Sequence, residues 1–169
     1  MKQKTKFTVL SALIAALYVL LTLLSSALGL AYGPVQFRVS EALIAFSAFT
    51  PAAVPGLTIG CFLSNIGSPY GVADQIIGTI ATFLATVSCY FFAMRFKKAA
   101  PFIFPFFTAL FNGILIGAEI TFFTPAGTKF FVFLISACEV ALGELAVCFV
   151  LGVPLYYLIK NKFKANSLL

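Results

Sequence analysis

Apolar residues run along this chain in long blocks rather than alternating with polar ones, and short clusters of Gly, Pro and Tyr or of Lys and Arg separate the blocks. A membrane-spanning helix needs about 20 apolar residues. Only helices and closed barrels satisfy their backbone in lipid, and the absence of period-two alternation selects helices. The pattern predicts six, over residues 7–28, 38–51, 55–69, 73–94, 101–123 and 129–158. The second and third are short, reaching only about 20 Å, and the connector at 50–55 carries no charge. These two segments either cross or form a re-entrant hairpin. The expected fold is all-α, a single polytopic membrane domain over residues 1–169.

Charge orients these segments. Nine of the eleven basic residues fall in three clusters: Lys2, Lys4 and Lys6; Arg95, Lys97 and Lys98; Lys160, Lys162 and Lys164. Cytoplasmic loops carry an excess of Lys and Arg, so the clusters anchor three points on one side, with both termini inside. That parity sends the loops at 29–37, 69–73 and 124–128 outside, together with Arg38, Lys129 and all five acids. The first segment follows three lysines as a secretory signal does, but it runs past the roughly 7 to 15 apolar residues of such a signal.

Composition agrees: 62% hydrophobic and 9% charged residues, against about 25% charged in soluble domains. The net charge of +6 flanks hydrophobic spans instead of forming one solvated face, so no nucleic-acid partner is expected. There is no His, and Cys61, Cys89, Cys138 and Cys148 lie inside apolar runs without a Cys-x-x-Cys pair, which points to small core residues rather than a metal site. No phosphate-binding Gly-rich loop with Lys is present, so ATP-driven work would belong to another subunit. Neither a cofactor nor an intramembrane nucleophile with its base is apparent.

An ionisable group at the centre of a membrane helix costs about 2.5 to 3.5 kcal/mol, so the acids should pair, line water or meet a ligand. Arg38 and Glu41 stand three apart, suited to pairing with each other. Asp74 sits where it would cap a helix. Glu119 follows Asn112 by two turns, on the same face, whereas Glu139 and Glu144 point about 140° apart. Carboxylates with the amides of Asn65 and Asn112 and many aromatic rings suit a flat, nitrogen-rich, neutral-to-cationic small molecule. Small residues at four-residue spacing, Gly56, Gly60 and Ser64 and again Gly113 and Gly117, predict close helix packing. On the first segment two such pairs are adjacent, Ser11 with Ala15 and Ala12 with Ala16.

The stretches YGPVQFRVSEAL at 32–43, GLTIGC at 56–61 followed by Asn65, NGILIGAE at 112–119, then Gly143 and Glu144 with LGVPL at 151–155, closely resemble the QueT family. These are substrate-binding S components of energy-coupling factor (ECF) transporters, assigned to a queuosine precursor such as 7-aminomethyl-7-deazaguanine. The resemblance covers nearly the whole chain. It implies a six-helix protein of the cell membrane with both termini cytoplasmic and an outward-facing site capped by the loop after the first helix. It also implies a transmembrane T component and two ATPases as partners, docking on an Ala-x-x-x-Ala stripe that Ala12 and Ala16 match. A deazaguanine would place its ring N–H edge on Glu119 or Glu144 and its aminomethyl cation on a remaining acid, Asp74 or Glu139 included. Its carbonyl would take a donor from Asn112, Asn65 or Gln36, with Arg38 nearby. Glu139 departs from the family pattern and signals either a peripheral role or a shifted preference. The competing reading is a self-contained proton-coupled permease with Glu119 and Glu144 as relay carboxylates.

Overall fold

The computed structural model describes residues 3–33, 35–124 and 129–166, with side chains through residue 162. It is all-helical. Helix α1 covers Gln3–Ala27, a 3-10 helix covers Val39–Ala48, and α2 covers Ala53–Ser64 with a short 3-10 turn at Asn65–Gly67. Then come α3 (Val72–Arg95), α4 (Ala100–Phe123), α5 (Lys129–Val147), a π turn (Cys148–Gly152) and α6 (Val153–Asn166). Among the described residues, four stretches are long and apolar enough to cross a membrane: Gln3–Ala27, Val72–Arg95, Ala100–Phe123 and Lys129–Lys162. The chain is a multi-pass membrane protein. Lys2, the Lys164 side chain and most of the predicted outer loop at 124–128 lie outside the described residues.

The predicted second segment becomes a 3-10 helix threaded through the bundle, touching α1 through α6. Runs of this helix beyond three or four residues are uncommon. Its narrower barrel and its small residues, Ser40, Ala42, Ala45 and Ser47, let it lie among neighbours on all sides, and seven of its ten residues are buried. Its far end shares a groove with Ala93, Lys97, Lys98 and Lys160. The hairpin that it forms with α2 therefore reaches the end of the bundle that carries the basic residues.

Glycines set the closest approaches. A Cβ at Gly56 would stand 2.8 Å from the Ser11 carbonyl oxygen, and one at Gly60 would stand 2.8 Å from the Tyr18 Cβ, so α2 lies directly on α1. Gly113 and Gly117 do the same for α4 against Ala137 and Ala141 of α5. Both small-residue series thus pack within the molecule, as in other lipid-embedded helix pairs. The π turn precedes Pro154, which has no N–H to return to residue 150, so the helix widens by one residue there. Three cysteines are buried as expected, but Cys138 is exposed. It lies on the outward side of α5, away from the inward stripe of Ser136, Val140, Gly143 and Glu144.

Candidate functional site

Arg38 precedes the 3-10 helix rather than lying on it, with extended backbone (φ −78°, ψ 94°). Its side chain is therefore free of helical periodicity. It turns to α3, where Nη2 donates to both Asp74 carboxylate oxygens at 3.2 Å, and Nη2 also donates to Asn65 Oδ1, in the turn after α2, at 3.3 Å. Nε donates to the Ala31 carbonyl at 3.4 Å. The expected Arg38–Glu41 pair is therefore not formed. Asp74 is not a helix cap either: Gly71, at φ 66°, holds the N-cap of α3, and the Asp74 carboxylate serves as the partner of Arg38. The guanidinium also lies 5.4 Å from the Tyr32 ring centroid, and the Tyr32 hydroxyl donates to the Ser64 carbonyl at 3.2 Å. The loop after α1 is pinned over this ion pair.

Glu41 finds other partners. Its Oε1 accepts hydrogen bonds from the Tyr18 hydroxyl and, at 3.1 Å, from Thr82 Oγ1. Asp74, Gly78 and Thr82 are successive rungs of one α3 face, four residues apart. The first holds Arg38 and the third holds Glu41. The middle rung must be Gly, since a Cβ there would lie 2.6 Å from Asn65 Nδ2 and 3.0 Å from Asp74 Oδ1. On the opposite wall, a Cβ at Gly143 would run into the backbone of Gln36, so the loop rests on α5 one residue from Glu144.

Eight buried side-chain atoms in this region have no hydrogen-bond partner among the described residues. Seven are acceptors: Gln36 Oε1, Glu41 Oε2, Asn112 Oδ1 and both carboxylate oxygens of Glu119 and of Glu144. The single donor is Arg38 Nη1. Leaving a buried polar group unpaired costs about 1 to 3 kcal/mol, and more for a charged group. Glu144 feels the charges of Glu41 and Arg38, and Glu119 those of Asp74 and Arg38, so the acids belong to one cluster. Beside Glu119, α3 and α4 part to leave an apolar groove of about 410 Å³ lined by Ala73, Ile77, Leu115, Phe122 and Phe123.

A family model described as QueT transporter matches residues 8–161. The chain belongs to the QueT transporter family. A similar protein, "Queuosine precursor transporter QueT" of Lactococcus lactis subsp. cremoris (strain MG1363), is 34% identical over 160 residues, covering 88% of this chain and 89% of the relative. No solved structure matches. The family is one of transporters, not of enzymes.

In this QueT-family chain the structure brings Gln36, Arg38, Asn65, Asp74, Asn112, Glu119 and Glu144 into one buried set. Two of the amides expected to donate to a ligand are already engaged, because Asn65 Nδ2 donates to the Asp74 carbonyl and Asn112 Nδ2 to the Thr108 carbonyl. Glu139 is only half-buried, unlike the residues of this set. Glu41, Tyr18 and Thr82 were not among the expected site residues. A lone Tyr in the aliphatic first span was the available signal for Tyr18, and Glu41 was masked by its spacing from Arg38. On α1, Ser11 and Ala15 are buried against α2 while Ala12 and Ala16 remain exposed.

Proposed function

We propose that this protein is the membrane-embedded substrate-binding subunit of an ECF-type transporter that imports a queuosine precursor, 7-aminomethyl-7-deazaguanine or a close deazaguanine relative. One observation carries the reading: seven buried acceptors and one buried donor without partners among the described residues. That set is matched by a flat ligand rich in N–H groups, bearing one carbonyl and one amine. Charge-assisted hydrogen bonds to carboxylates are roughly twice as strong as neutral ones, and a buried site spares them competition from water. Aromatic Tyr32 supplies a ring face at the loop.

In this reading the six segments predicted from the sequence, with α5 and α6 together as the last, traverse the cell membrane, the basic end faces the cytoplasm and the loop over Arg38 faces outward. Substrate enters from outside, and the T component with its two ATPases supplies the energy that binding alone cannot. The exposed Ala12 and Ala16 form the flat stripe on which that module docks. Binding of 7-aminomethyl-7-deazaguanine to the purified protein, measured beside Glu144→Gln, tests the substrate. Binding by the wild type that is lost in the variant is expected, and a folded wild type that binds no deazaguanine overturns the assignment. Co-purification with an ATPase pair, and loss of uptake on ATP depletion with the proton gradient maintained, test the subunit role.

A further inference from the structure

The unpaired groups have an order along the bundle axis. Gly117 abuts Ala137 and Gly113 abuts Ala141 across antiparallel α4 and α5, which sets Glu144 level with Leu110, nine residues below Glu119. At 1.5 Å per residue their Cα positions stand roughly 14 Å apart along the axis. The α3 rungs set the position of the donor. A Cβ at Gly78 would lie 3.6 Å from Arg38 Nη1, one turn below Asp74, near Glu119, and one turn above Thr82, which holds Glu41. From the loop end inward the sequence of free groups is acid, cation, then the acids Glu144 and Glu41.

Resting on the function proposed above, we infer that this acid–cation–acid ladder reads one edge of the ligand in a fixed direction: Glu119 takes the amine, Arg38 Nη1 the ring carbonyl, and Glu144 with Glu41 the ring N–H and exocyclic amino group. In an aminomethyl deazaguanine the carbonyl oxygen lies between the N–H edge and the aminomethyl arm, so the order of donor, acceptor and donor along the ligand mirrors the order along the protein. Glu119 is thus the specificity-determining residue for the substituent, and Glu144 the residue that selects the base.

The test is a binding series on the purified full chain with four probes: the 7-aminomethyl, 7-cyano and unsubstituted 7-deazaguanines, and the aminomethyl compound with sulfur in place of the ring carbonyl oxygen, which keeps the ring N–H but is a weaker acceptor. In Glu119→Gln, affinity for the aminomethyl compound should fall on the order of 30-fold while the cyano and unsubstituted compounds change by less than about 3-fold. Retained binding of those two shows that the variant is folded. Glu144→Gln should weaken all three by a similar factor, and the thiocarbonyl probe should bind the wild type on the order of 10-fold more weakly than its carbonyl parent. Equal losses for all three compounds in Glu119→Gln, or loss of amine preference in Glu144→Gln instead, overturns the ladder while leaving the transported class intact. A wild type that binds none of the four removes the proposed function itself.

Discussion

Replacing Asp74 with Asn isolates the ion pair that shapes the outer half of the site. Arg38 is 1% exposed, and three of its bonds lie on one side, two of them to the Asp74 carboxylate at 3.2 Å. The substituted amide would keep the shape of the carboxylate but remove its charge and turn an N–H toward the guanidinium. Breaking a buried pair by neutralising one partner costs about 3 to 5 kcal/mol, because the other charge stays buried. For a chain of this length that is roughly 6 to 20 °C in Tm, at about 2 to 4 °C per kcal/mol. Thermal unfolding followed with a thiol-reactive fluorophore suits this protein, since Cys61, Cys89 and Cys148 are buried and only Cys138 is exposed. In a Cys138→Ala background the dye reports core opening alone. The double variant Arg38→Gln with Asp74→Asn should recover at least half of the lost Tm, because no uncompensated charge remains, and yet should not bind ligand. A single Asp74→Asn variant that melts within about 2 °C of its parent would refute the assignment of this pair as a buried, mutually dependent unit.

Gly143→Ala drives a Cβ into the Gln36 backbone, which cannot rotate away, so stability should drop by about 1 to 3 kcal/mol with weakened ligand binding. Gly67→Ala, where nothing lies within 4 Å, serves as the neutral control in the same melting assay. Tyr18→Phe removes one of the two donors to Glu41 and should cost about 1 to 3 kcal/mol by thermal unfolding, since it deprives a charged acceptor of a partner. Leu at both Ala12 and Ala16, which are exposed, should leave Tm and ligand binding unchanged but abolish co-purification with the proposed T component and ATPases. In the native protein a maleimide small enough to enter the detergent phase should label Cys138 well before the other three cysteines, as read by intact mass.

The sequence by itself determined the membrane class, the helical content and the order of the segments, although the last runs to Asn166, eight residues past its predicted end, and the second is a 3-10 helix. It did so because lipid requires long uninterrupted apolar runs whose backbone bonds close locally. It also determined which small residues bring helices together, since a Gly or Ala stripe is a local property of one helix face. Which stripe packs inside was another matter. Ser11 with Ala15 and Ala12 with Ala16 read alike along the chain, and only the position of α2 buries the first pair and leaves the second free. The polar pairing was likewise decided in three dimensions. Arg38 and Glu41 have helical spacing, but Arg38 stands outside the helix in extended backbone, and partners 36 residues away on α3 and 23 away on α1 win both side chains. Spacing predicts contacts only where the backbone keeps its period; at a helix entrance the side chain is set by whatever charge the fold brings near.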